Sequence, residues 1–205
     1  MERLNNFFNK LFKIVPGGVF GLISVSIGIC IDIMGLSFHG YNIFTHSVSS
    51  LGIGPVGLFF NIGLIFSGIA AVLFDIYLGR SFNREFINEK AIKITLSISI
   101  ISSFSLILVG VFPVSHENEI VMFLHVFFAF TAFIGGLISI FIFSLFMLKD
   151  PKFLKIQAYF GFTVCGFFAL YLFTLQPITE WTAIFAIILW TIINASYMIY
   201  KKQIF

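Results

Sequence analysis

Four histidines, His39, His46, His116 and His125, are the side chains best suited to do chemistry in this chain. With Asp32, Glu117, Glu119 and Glu180 they fall near those ends of the apolar runs where no Lys or Arg is found. Imidazoles and carboxylates together can hold zinc, which as a catalyst takes three protein ligands and keeps one position open. They can also act as general acid and base. The spacing favours neither. No H-x-x-x-H or H-E-x-x-H occurs, and only His125 lies well inside an apolar run, so a haem clamped between opposed histidines is not expected. No cofactor is expected. Zinc is the alternative, with His39, His46, His116, His125 and Glu119 as its candidate ligands.

The elements that must position these groups follow from composition. Of 205 residues, 59% are hydrophobic and 10% charged, and 30 are Phe. A soluble domain carries about 25% charged residues and could not cover so much apolar surface. Soluble, disordered and disulfide-scaffold classes are thereby excluded. Cys30 and Cys165 lie within apolar runs and imply no disulfide. A membrane-spanning helix needs roughly 20 apolar residues, and six runs qualify: 15–38, 55–78, 92–111, 120–148, 154–175 and 181–200. The first is too long for the apolar core of a signal peptide and reads as a retained span. The expected fold is an all-α, polytopic bundle of six transmembrane helices.

All 12 Lys and Arg precede the first run, follow the last, or lie around the second-to-third and fourth-to-fifth connections. That is one side of an even number of spans. The positive-inside rule makes it the cytoplasmic side, with both termini there, in a multi-pass protein of the cell membrane. Scattered cations give no basic face, so no nucleic-acid partner is expected. Residues 1–14 form a segment of their own. Leu4, Phe7, Phe8, Leu11, Phe12 and Val15 share one helical face, with Arg3, Lys10 and Lys13 off it, as in an amphipathic helix lying on an anionic leaflet. Residues 15–200 are the transmembrane domain and 201–205 a cytoplasmic tail.

Tyr41, Phe44, Val48 and Leu51 again fall on one helical face, predicting a short helix in the outer loop over about 41–51. Stripes of small residues, such as Gly21, Ser24 and Gly28 in the first span, should mark helix contacts. Asp75, five residues before Arg80, fits a local ion pair or interfacial hydration near the inner interface. Asp32, Asn61 and His125 lie at one expected depth, about 9 Å below the outer surface at ~1.5 Å per residue. Polar groups there should turn inward and bond to each other or to the Thr45–Ser50 stretch above. Asp32, His46, Asn61 and His125 are thus the candidate outer-face polar site.

Several short motifs carry a family resemblance over about residues 15–200. Ser47 or Ser49 with Leu51-Gly52, then Pro55, Phe60-Asn61-Ile62-Gly63-Leu64, Gly110-Val111-Phe112-Pro113 and His125 resemble the membrane family catalogued as domain of unknown function 998. Ser50 stands where that family often has an acid before Leu-Gly. The resemblance implies a six-helix bundle without implying an activity. More distantly the chain is similar to DRAM/Sfk-type membrane proteins, which are associated with lipid handling and membrane organisation. The leading expectation is a non-catalytic integral membrane protein, either a lipid-interacting module or an accessory subunit whose partners are membrane lipids and other membrane proteins. The alternative is an intramembrane enzyme, such as a metal-dependent hydrolase acting on a lipid or lipid-linked substrate at the outer face. A small transporter is third, disfavoured by the lack of an inverted repeat.

Overall fold

The computed structural model describes residues 2–37 and 40–201, leaving aside the side chains of residues 2 and 4. His39, Phe38 and Lys202, and the side chain of Leu4, therefore lie outside the described residues. Seven α-helices and one short 3-10 helix make up the described fold, and none of the described residues is in a strand. They are α1 (Glu2–Ile14), α2 (Gly17–Leu36), α3 (Gly57–Ser81), α4 (Glu89–Val111), α5 (Glu119–Lys149), α6 (Lys155–Thr174) and α7 (Pro177–Tyr200). Six of them, α2 to α7, are long and apolar enough to cross a membrane. The protein is a multi-pass, all-helical membrane protein.

Local chemistry sets the helix ends. Asn88 caps α4, its side-chain oxygen accepting from the amides of Lys90 at 2.8 Å and Ala91 at 3.3 Å. Asn118 caps α5 in the same way, from Ile120 at 3.1 Å and Val121 at 3.2 Å. Pro177 opens α7, where a missing N–H costs no helical bond. At the end of α6, Leu175 takes the left-handed conformation, φ 51°, a place more often held by glycine.

Consecutive helices from α2 to α7 pack side by side, and α7 returns to α2. The result is a closed ring of six around a common interior. The start of α2 meets the end of α7, where Gly18 lies against the Ala195 carbonyl. The connections rich in Lys and Arg are linked at this same end, which we call the basic end. There the Asn83 amide donates to Asp150 Oδ2 at 2.7 Å, and Tyr197 Oη donates to the Lys152 carbonyl at 2.5 Å. Helix α1 is attached here too: Phe12 packs on Phe20 and Tyr77, and Arg80 donates to Asn9 Oδ1.

Two apolar cores divide the interior. The larger fills the basic end around Phe82, Phe143, Phe146 and Phe153. The smaller, at the opposite end, joins Ile31, Val48, Leu51, Phe60 and Trp181. Large side chains such as Phe59, Phe66, Phe123 and Phe173 remain exposed on the outside of the ring, as helices facing acyl chains require.

The loop between α2 and α3 differs from expectation. Only Val48–Gly52 is helical, as a 3-10 turn, while Asn42–His46 forms a turn closed by the His46 amide on the Asn42 carbonyl. The Asn42 side chain itself accepts from the Phe44 amide at 2.9 Å, the local bond by which Asn favours turns over helices. Val48 and Leu51 are buried, Tyr41 is half-buried and Phe44 is exposed. Gly35 makes the seating possible, because a Cβ there would lie 2.2 Å from Leu51 Cδ2.

Candidate functional site

Between the two cores lies a cavity of about 240 Å³. Its walls are largely apolar, from residues such as Ile31, Phe60, Leu64, Leu106 and Ile184, and it reaches from Val48 and Ser49 beneath the α2–α3 loop down to Asp75 and Phe143. Asp32 and Glu180 stand at one end and Asp75 at the other, with serines such as Ser24, Ser67 and Ser102 between them.

At the end opposite the basic one, Asp32 of α2 and Glu180 of α7 line the cavity, 4% and 5% exposed, and lie near enough to act on each other electrostatically. Glu180 sits in the first turn of α7. A first-turn acid usually points to water and complements the helix dipole; here the folded α2–α3 loop covers it, and its Oε1 accepts the Ser49 amide at 3.3 Å. Asp32 has no hydrogen-bond partner among the described residues, although it is buried. Trp181, next to Glu180 in sequence, fixes the loop overhead by donating Nε1 to the His46 carbonyl at 3.0 Å. Tyr41 completes the cover, bonding the Ser47 carbonyl and, at 2.8 Å, Ser50 Oγ. Burial first, and then the nearby Glu180 and Asp32 carboxyls, push the Tyr41 phenol up from its ordinary value, so it remains a donor in this cover.

His125 also lines the cavity, from α5. Its Nδ1 is 2.9 Å from the Phe112 carbonyl, an oxygen that only accepts, so Nδ1 carries the proton. The ring thereby ties α5 to the end of α4. Towards the basic end, Asp75 accepts from Ser103 Oγ at 2.6 Å. The expected ion pair with Arg80 is not formed. Asp75 is buried towards α4, whereas Arg80 reaches Asn9 of α1. Helix α1, folding back on the end of α3, offers that cation a nearer partner.

The four residues of the candidate outer-face site are distributed unequally. Asp32 and His125 reach the cavity. The His46 side chain is exposed, held by Thr45 Oγ1 at 2.9 Å and lying beside the Tyr41 ring. Asn61 donates to the Gly52 carbonyl at 3.1 Å and does not line the cavity. Among the described residues no hydrogen bond joins Asp32, Asn61 and His125, so they form no connected layer. The bond to the Thr45–Ser50 stretch is made by Glu180, a residue the spacing arguments placed only in the outer half.

Of the zinc candidates, His116 is exposed on the connection before α5, Glu119 is exposed in the first turn of α5, and His39 lies outside the described residues. Among the described residues no three His, Cys, Asp or Glu side chains come together as a metal-ligand set. The small-residue stripes are mostly used inside the ring: Gly21 faces Phe74 and Ala195, Gly68 faces Ile107, and Gly161 faces Ser144. Gly28 is different. It lines the cavity, and a Cβ there would have nothing within 4 Å.

A family model described as "Protein of unknown function (DUF998)" matches residues 21–197, from the first turns of α2 to the last turn of α7. The match does not show the more distant likeness to DRAM/Sfk-type proteins. No curated protein and no solved structure matches the chain. The chain belongs to that family of unknown function.

Proposed function

We propose that this family member is a lipid-interacting membrane protein that takes a single-chain amphiphile into the interior of its six-helix ring. The observation that carries this reading is the cavity. At about 24 cal/mol per Å³, a void of 240 Å³ costs roughly 6 kcal/mol of lost packing. A fold stabilised only for its own sake would fill it. The apolar walls suit an aliphatic chain, and the carboxyls at one end suit a polar head. The volume lies below the ~300–1,000 Å³ of drug-sized sites, which favours one chain over a two-chain phospholipid.

The accessory-subunit reading has less support, since most of the glycines in the spans are engaged within the ring, the exposed Gly166 of α6 being an exception. The enzyme reading needs converging groups; of its candidates Asp32, Glu180 and His125 reach the cavity, whereas His46, His116 and Glu119 are exposed. In the cell membrane we place the basic end in the cytoplasm, by the one-sided distribution of Lys and Arg. Helix α1 would then lie on the inner leaflet, with the exposed Phe7 towards acyl chains and Lys10 and Lys13 towards anionic head groups. Cysteines introduced at Glu117 and Glu85, in a variant free of Cys30 and Cys165, should label from outside and inside respectively; the opposite pattern refutes the orientation.

Native mass spectrometry of the protein released from its own membranes tests the cavity. Wild type should carry a co-purifying amphiphile, and Gly28→Leu, whose side chain projects into the cavity, should lose it. An equal complement in the two proteins would place the lipid elsewhere.

A further inference from the structure

The head-group end of the cavity has a chemistry of its own. Two carboxyls, on α2 and α7, meet under the α2–α3 loop at 4% and 5% exposure. Burying a carboxylate is tolerated when it is paired or fully hydrogen-bonded. Glu180 accepts from the loop backbone, whereas Asp32 lines the cavity with no hydrogen-bond partner among the described residues. No Lys or Arg among the described residues is available to it there. Exposed Lys93 and Glu89 pair at the basic end, and the described Lys and Arg belong to that end. The His125 ring has its Nδ1–H committed to the Phe112 carbonyl.

Resting on the reading of the cavity given above, we propose that Asp32 and Glu180 form a subsite for a positively charged head, and that the ligand is an amine on a single aliphatic chain. An ammonium has donors and no acceptors, matching two acceptor-only carboxylates. Its N–H groups supply Asp32 with the partners the protein lacks, and its charge offsets both carboxylates inside a low-dielectric wall, where such pairing is strongest. The walls nearest the two carboxyls, from Ile31, Val48, Phe60 and Ile184, are apolar and disfavour a bare inorganic cation, which would need oxygen ligands on several sides.

Brominated single-chain probes test this through the two tryptophans, both buried and Trp190 on the cavity wall. The full-length protein is reconstituted in phosphatidylcholine nanodiscs and titrated with 11-bromoundecylamine or 11-bromoundecanol, with each probe's concentration corrected for its partition into the lipid. Saturable quenching by the amine at an affinity at least tenfold above the alcohol is the expected result. Asp32→Asn and Glu180→Gln should each bring the amine to the level of the alcohol, and Gly28→Leu should abolish saturable quenching by both. Equal affinities of the two probes in wild type, which requires no variant to fold, would overturn the head-group assignment and leave the cavity reading standing. A preference for the amine that survives both carboxyl substitutions would also overturn it. If neither probe quenches saturably, the cavity reading itself fails and the head-group assignment with it. Brominated phosphatidylethanolamine, added to the disc, should give no saturable quenching; quenching as strong as the amine's would overturn the single-chain assignment.

Discussion

At the basic end of the ring the buried Asp150, Gln157 and Asn194 all have hydrogen-bond partners, although the Trp190 Nε1 in the core beside them has none, whereas at the opposite end Asp32 accepts no hydrogen bond from any described residue. Asp150, 1% exposed, accepts from the Asn83 amide at 2.7 Å and the Lys152 amide at 3.0 Å, tying two connections together. Gln157 accepts from the Leu154 amide at 2.8 Å and donates to Asn194 Oδ1 at 2.9 Å, while Asn194 Nδ2 donates to the Trp190 carbonyl. Asp32 and Glu180 are as deeply buried and receive far less. The difference separates two uses of buried polarity. At the basic end it specifies how helices and loops register. At the other end it is held in reserve for a group the protein does not itself provide.

Breaking the basic end should have the largest effect on stability. Asp150→Ala removes a charged acceptor and leaves two amides unpaired, which should cost about 2–4 kcal/mol. Thermal unfolding of the protein in a mild detergent measures it; a shift within error of zero would show that the two connections do not depend on this carboxylate. Next comes the Gln157–Asn194 pair between α6 and α7. Hydrogen bonds between membrane helices contribute about 0.6 kcal/mol on average and up to about 1.7, so a double-mutant cycle with Gln157→Leu and Asn194→Leu should return a coupling in that range. Coupling of zero would make the pair incidental.

The cavity side of the comparison predicts smaller effects of the opposite sign. Gly28→Leu meets no atom within 4 Å of its new Cβ. Relieved of a mid-helix glycine, the protein should gain up to about 1 kcal/mol. A loss of stability would mean that the space beside Gly28 is needed by the fold itself. Leu175→Gly gives the smallest expected change. Leu175 is exposed and held at φ 51°, so glycine should relieve about 1 kcal/mol of backbone strain at no packing cost. A melting temperature that falls instead would assign Leu175 a contact beyond the ring, in the lipid phase.

What could be read from the sequence divides along the same line. The six spans were legible within a few residues because apolar length alone determines a membrane helix. The starts of α4 and α5 were legible in retrospect from Asn88 and Asn118, side chains that satisfy the first free amides of a helix. Asp32 and His125 follow from depth and cost, since a polar group far inside an apolar run must turn away from lipid. Glu180 does not. Three residues after Pro177, it has the position of an ordinary exposed first-turn acid, and only the fold of residues 40–54, more than a hundred residues earlier, covers it. Asn61 and His46 misled for a related reason: local backbone and loop groups satisfy both, through Gly52 and Thr45. Asp75 misled because α1 takes up Arg80, a long-range contact that spacing along α3 cannot express.

The central claim is that Asp32, opposite the basic end, does not hold the resting fold together, whereas Asp150 at the basic end does. Melting temperatures of Asp32→Asn and Asp150→Asn, measured side by side in the same detergent without added amphiphile, test it most directly. Both changes replace a buried carboxylate with its neutral isostere. The account predicts that Asp150→Asn melts several degrees below wild type, while Asp32→Asn melts at or above it, because removing an unpaired buried charge costs the fold nothing. Equal destabilisation by the two substitutions would contradict it, making Asp32 a structural residue like Asp150.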